Sequence, residues 1–110
     1  MTDPVERRAA VRKALHVRAR LSAAGKSVEV RTFDISRSGL GIYAEFNPRA
    51  GLEVEVALSL AVPGKELQAF QARARITHSV FTSDGRGFKL GMEFVHVDAP
   101  SLQALSAFLI

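Results

Sequence analysis

The sequence has no cysteine, no tryptophan, a single tyrosine and no apolar run long enough to cross a bilayer. Without thiols there are neither disulfides nor thiolate metal sites, which suits a reducing compartment, so the cytoplasm is the expected location. The N-terminal MTDPVERRAAVRKALHVRARL carries charges where a signal peptide needs an unbroken apolar segment, and the most apolar stretch, VALSLAV, is far short of a span. No membrane span is expected. Aromatic residues other than seven phenylalanines are nearly absent, whereas a single-strand nucleic-acid binder presents several exposed rings along a basic groove. The three histidines, His16, His78 and His96, fall in separate strand-like runs with no second ligand at useful spacing. This points away from an enzyme, a metal site or a cofactor. His78 continues an apolar face and reads as a core or barrel-end residue.

What is present fits one folded unit: 110 residues, 47% of them hydrophobic, suffice for a single compact core. The net charge of +4 is unevenly placed. Residues 1–20 hold Arg7, Arg8, Arg12, Lys13, Arg18 and Arg20 against Asp3 and Glu6, which accounts for the whole excess; the remaining ninety residues hold nine basic and nine acidic groups. A neutral body with a cationic arm indicates one localised anion site, not the broad basic face that duplex DNA requires.

Alternation of apolar and polar residues marks the strands. Val17, Ala19 and Leu21 alternate with charged neighbours, and Val28 and Val30 follow across a turn at Ala24-Gly25. The apolar phase then changes at Phe33 and Ile35, which predicts a bulge just before Asp34. Runs through Leu40–Phe46, Leu52–Leu60, residues 68–81 and Phe88–Phe94 bring the count to six. After the capping sequence DAPS, Leu102, Leu105 and Leu109, flanked by Ala104 and Phe108, recur at helical spacing and predict a short closing helix. Six strands joined by short turns suggest an antiparallel barrel or a tightly curved sandwich.

The connection Asp34-Ile35-Ser36-Arg37-Ser38-Gly39 is richer than a hairpin turn requires. Antiparallel pairing about Ala24-Gly25 makes partner numbers sum to about 49, which puts Arg12 opposite residue 37 within a residue or two. The cationic arm therefore starts beside a turn that offers a carboxylate, hydroxyls and backbone amides. Alone, each half has a plain structural reading. Asp34 and Ser36 suit a self-satisfied turn, Gly39 suits a left-handed turn position, and Arg8 and Arg12 suit one face of a solvated helix.

Together, RAAVR (Arg8 to Arg12) and DISRSG (Asp34, Ser36, Gly39) resemble the RxxxR and D/NxSxxG pair of PilZ domains, bacterial receptors for cyclic di-guanylate (cyclic di-GMP). The closing helix and LGMEF, with Gly91 and Phe94, also match, so the resemblance covers nearly the whole chain. With eleven arginines, RxxxR is expected roughly once by chance, whereas DxSxxG is expected on the order of 0.02 times. The resemblance implies an all-β fold: a six-stranded antiparallel β-barrel over residues 16–110 with a short C-terminal helix, preceded by a flexible basic arm at 1–15. It implies a ligand, cyclic di-GMP, bound as one molecule or a stacked pair. Arg8 and Arg12 would clamp it, because guanidinium forks match phosphate oxygens and the O6/N7 edge of guanine. Asp34 would accept from guanine N–H groups, Ser36 would donate to a phosphate or hold the turn, and Gly39 would supply positive φ and close backbone approach. Arg7 is an extra clamp for a stacked pair, and Arg37 and Ser38 either contact ligand or face water. Binding is expected to fold the arm over the barrel and, with no attached output domain, to signal to an effector protein controlling motility, adhesion or biofilm state. The alternative is a PilZ-fold interaction module that binds no nucleotide.

Overall fold

The computed structural model describes residues 11–110, in which seven strands and one helix follow one another. They are β1 (Arg12–Ala14), β2 (Arg18–Ala23), β3 (Lys26–Ser36), β4 (Gly39–Ala44), β5 (Glu53–Leu60), β6 (Gln68–Phe81), β7 (Phe88–Val97) and α1 (Ala99–Phe108). Six of the strands, in the order β3-β2-β5-β6-β7-β4, form an antiparallel barrel that closes where β4 pairs back onto β3. These are the six that alternation predicts. Closure leaves the apolar inner faces of these six strands without an open edge.

The additional strand, β1, comes from residues that the sequence reading assigns to the arm. It pairs with β3 along the same edge as β2, so residues 12–23 form one strand with an interruption at 15–17. Thr32 causes that interruption. Its buried hydroxyl accepts the Val17 N–H at 3.0 Å and donates to the Leu15 carbonyl, standing in for the missing ladder bonds. The detour shifts the register by one residue: β2 and β3 pair with numbers that sum to 49, whereas Arg12 faces Ser36. The β2–β3 turn is as expected, with Ala24 and Gly25 both at positive φ, the conformation of a two-residue hairpin that matches strand twist. The expected bulge also forms: β3–β4 pairing slips between Thr32 and Asp34, leaving Phe33 as the extra residue.

The barrel interior is filled by Leu21, Ile35, Ile42, Val56, Phe70 and Leu90 with their neighbours, all nearly inaccessible. The helix α1 packs on β6 and β5 and buries Ala104, Leu105 and Phe108; Leu102, expected on that face, is exposed. Its N-cap is Asp98, which accepts the Ser101 N–H at 2.8 Å, and Ser101 Oγ in turn accepts the Gln71 N–H of β6 at 2.8 Å. The other end is held by Lys13 of β1, whose ammonium donates to the Phe108 carbonyl at 2.8 Å and lies 4.3 Å from the Phe108 ring centre. A cation there complements the helix C-terminus. Successive residues of β1 thus serve two purposes: Lys13 fastens the helix and Arg12 faces the Asp34 turn.

Candidate functional site

The β1–β3 ladder sets Arg12 beside the outward-facing Asp34 and the end of β3. Arg12 Nε donates to Asp34 Oδ2 at 3.0 Å and Nη2 to Oδ1 at 2.8 Å, a two-bond fork. Its remaining nitrogen, Nη1, reaches Ser36 Oγ at 3.3 Å. Hydrogen bonding to Asp34, reinforced by its charge and opposed by partial burial, raises the Arg12 pKa above its ordinary value. The guanidinium stays cationic while its side chain is still 48% exposed. It is therefore charged, oriented and accessible at once.

Ser36 is fully buried beneath the turn, where its hydroxyl oxygen accepts the N–H groups of Ser38 and Gly39, each at 3.2 Å. Arg37 and Ser38 face solvent. Gly39 requires a correction. Its φ is not positive; glycine is needed because a Cβ there would lie 2.1 Å from the Met92 carbonyl oxygen of β7. The constraint is close backbone approach, imposed by the β4–β7 pairing of Gly39 with Glu93.

These residues border a cleft of about 550 Å³ on the outer face of the barrel. Arg12, Asp34, Ser38 and Gly39 line it, Ser36 supports it from below, and Arg37 is not part of its lining. Arg7 and Arg8 lie outside the described residues. The opposite wall, from β6 and β7, holds Thr77, His78, Lys89 and Glu93, none of which sequence reasoning selected. His78 is a second correction: it is exposed, not a core residue. A bulge at Thr77, where β6–β7 pairing slips between Ile76 and His78, turns it outward. Nothing in RITHSV announces that bulge, and Lys89 and Glu93 reach the cleft only through barrel closure. Gly91 of LGMEF was the one available pointer, since a position without a side chain leaves room for the His78 ring.

A larger cleft of about 630 Å³, with His16, Arg31, Tyr43 and Arg86 in its lining, shares no residue with the first. There Arg86 donates to the Tyr43 hydroxyl at 3.2 Å and lies 5.1 Å from its ring centre, so that cation is already engaged, and Glu29 and Glu45 offset the basic charge. Among the described residues no group of three or more His, Asp or Glu side chains is placed to hold a metal ion, and no helix is long and apolar enough to cross a membrane.

The family model for the PilZ domain matches residues 6–110, nearly the entire chain. The chain belongs to the PilZ domain family. Two solved structures share the PilZ barrel. The Bacillus subtilis inhibitor of motility, MotI/DgrA, superposes with a TM-score of 0.76 at 15% identity, over 87% of this chain and 46% of that protein. The PilZ domain of YcgR from Escherichia coli, solved with cyclic di-GMP, gives a TM-score of 0.62 at 17% identity, over 94% of this chain and 88% of that one. At such identities the likeness is one of fold, and this chain spans under half the length of the Bacillus protein. A search of curated proteins returned no match.

Proposed function

We propose that this PilZ domain is a receptor for cyclic di-GMP. The observation that carries the reading is the Arg12 fork, held charged by Asp34 on the rim of a cleft that Ser38 and Gly39 also line. A planar cationic fork beside a carboxylate suits a ligand with both phosphate oxygens and guanine edges, because each group then has a complementary partner. On binding, the ligand takes over one or both of the Arg12 bonds and frees Asp34 to accept from guanine N–H groups. Arg8, with Arg7 for a second stacked ligand, comes to the same phosphates from the segment ahead of β1, and Arg37 and Ser38 contact the ligand from the turn. Drawing that segment against the barrel changes the surface offered to an effector protein in the cytoplasm. Control of motility by the domain is consistent with the name of one structural neighbour, the Bacillus subtilis inhibitor of motility.

One observation favours the second reading, an interaction module without nucleotide: the Arg12 fork is already satisfied by Asp34 and serves to pin β1 to β3. Calorimetric titration with cyclic di-GMP, with cyclic di-adenylate and GTP as controls, separates the two. Micromolar or tighter binding of cyclic di-GMP alone supports the receptor. Absence of heat together with an unchanged melting temperature leaves the pinning role alone.

A further inference from the structure

The β2–β3 hairpin overhangs the ladder that closes the barrel. Along β2 the register places Lys26, Val28 and Val30 of β3 against Ala23, Leu21 and Ala19, and the tight turn at Ala24-Gly25 makes these the hydrogen-bonded pairs. Thr32 keeps the same phase, donating its backbone N–H to the Val17 carbonyl at 2.9 Å. The N–H and C=O groups of Ser27, Glu29 and Arg31 therefore point the other way, toward β4. Arg31 finds Tyr43 there, but the ladder goes no further. Extended in the same register it would match Glu29 with Glu45, Val28 with Phe46 and Ser27 with Asn47. Instead β4 ends at Ala44, the Asn47 side chain accepts from the Ser79 hydroxyl of β6 at 2.6 Å, and Pro48 has no N–H to offer. Among the described residues nothing bonds to the outward backbone groups of Ser27 or Glu29. The cleft of about 630 Å³ occupies this wedge, with Val28 to Arg31 on one wall and Tyr43 to Phe46 on the other.

We propose that this edge receives an extended segment of a partner protein as an added strand, which sets one apolar side chain between Val28 and Phe46 and the next, a basic one, between Glu29 and Glu45. An unpaired edge selects an extended chain: the main chain supplies the bonds and alternate side chains supply the specificity. Inward of the edge, Val28 and Phe46 are exposed apolar residues that also border a second cleft of about 330 Å³ floored by Leu52 and Val54, so a side chain pointing in leaves water. Outward, Glu29 and Glu45 face the slot from its two walls. Glu29 has only a loose pair with Arg18 at 3.8 Å, and Glu45 is in no ion pair among the described residues. Of the arginines in the lining, Arg86 is held by Tyr43 and Asp84, and Arg31 lies past the last open position. The charge left to be matched is negative. A second copy of this chain in the two-fold register that pairs Ser27 with Glu29 would bring its own Gly25 opposite Arg31, where Tyr43 already stands, so the occupant is a different chain. The slot shares no residue with the Arg12 cleft and is independent of nucleotide binding.

The test titrates the isotope-labelled whole chain with the synthetic peptide acetyl-Thr-Val-Lys-Val-Thr-amide, whose side chains read alike in either strand direction, and follows amide chemical shifts and hydrogen exchange by NMR. The controls are Thr-Val-Glu-Val-Thr and the lysine peptide N-methylated at its three central residues, which cannot donate to an edge. Expected are shifts confined to residues 26–31 and 43–46, slowed exchange at the Ser27 and Glu29 amides, about tenfold weaker binding of the glutamate peptide, and none of the N-methylated one. In a chain carrying both Glu29→Lys and Glu45→Lys, two exposed positions, the preference between the charged peptides reverses. No shift with millimolar lysine peptide, shifts that map elsewhere, or equal affinity for the charged pair overturns the proposal. Equal binding of the N-methylated peptide removes the added strand. A chain already dimeric, with Ser27 and Glu29 protected before peptide is added, gives the edge to a second copy and overturns it as well. The native chain decides each of these without any variant.

Discussion

Replacing Arg12 with alanine separates a ligand clamp from a structural pin, because the two roles carry different magnitudes. In the unliganded protein the Arg12–Asp34 pair has two good hydrogen bonds, but the arginine side chain is 48% exposed and the aspartate 25%. Pairs so open to solvent contribute about 0–1 kcal/mol to folding. Ser36 keeps its bonds to the Ser38 and Gly39 amides without Arg12, so the turn survives. The melting temperature should then fall by at most about 6 °C for a chain of this size. A bidentate arginine contact to a guanine edge, by contrast, is worth about 1–3 kcal/mol, which is a factor of about 5 to 150 in Kd. Arg12→Lys keeps the charge and loses the fork, and should lie between the two. Differential scanning calorimetry and ligand titration on the same preparations measure both numbers. A folded Arg12→Ala variant with native affinity would remove Arg12 from the site. A large drop in melting temperature would show that pinning β1 is its main task.

Other substitutions probe the frame that holds the site. Gly39→Ala forces a methyl into the Met92 carbonyl, so the β4–β7 pairing must shift at a cost of about 1–3 kcal/mol, visible as a lower midpoint in urea. An unchanged midpoint would mean that the two strands yield freely at this point. Thr32→Val keeps the shape but leaves the Val17 N–H without its partner, which should cost about 1–3 kcal/mol and speed amide exchange at Val17 and Leu15. Protection equal to the native chain would refute the account of the interrupted first strand. At Asp98, the Ser101 N–H and, second to it, the Ser101 hydroxyl hold the carboxyl pKa below its ordinary value. A depressed native pKa stabilises the fold above the unfolded value and loses that effect as pH falls through the native one. Asp98→Asn should therefore flatten this part of the acid dependence of the melting temperature, and an unaltered acid limb would assign it to other groups.

The barrel was legible because its inner face alternates over most of the regular strands: Ala19 and Leu21, Leu40 and Ile42, Val54 to Leu60, and Leu90 and Met92 are all buried as the pattern requires, and Val28, near the β2–β3 turn, is the exposed exception. The proximity of Arg12 to the Asp34 turn was legible for the same reason, since a tight hairpin fixes register over a long distance. The one-residue offset, inside the expected tolerance, came from Thr32, a side chain acting in place of backbone, which no alternation rule reports. The reason Gly39 must be glycine was also misread. A positive φ is a local property that sequence can suggest, whereas an approaching carbonyl from β7 exists only after the barrel closes.

The two bulges decide what the site looks like. A bulge lets two successive side chains face the same way, where a regular strand would send one inward. Phe33 and Asp34 both reach over Gly41, and Thr77 and His78 both lie at Gly91, and these two glycines pair with each other across β4 and β7. The first bulge was readable because the apolar phase changes visibly between Val30 and Ile35. The second was hidden because Val80 keeps an apolar residue in the old phase, although it is 57% exposed. The cleft is therefore built from two irregular strands flanking two side-chain-free positions. Filling either glycine should affect the cleft more than the core: a methyl on Gly41 meets the Phe33 ring and Asp34, and one on Gly91 meets His78. Gly41→Ala and Gly91→Ala should therefore weaken ligand binding more than they lower the melting temperature, the reverse of Gly39→Ala, and the opposite ranking would place the glycine requirement in folding.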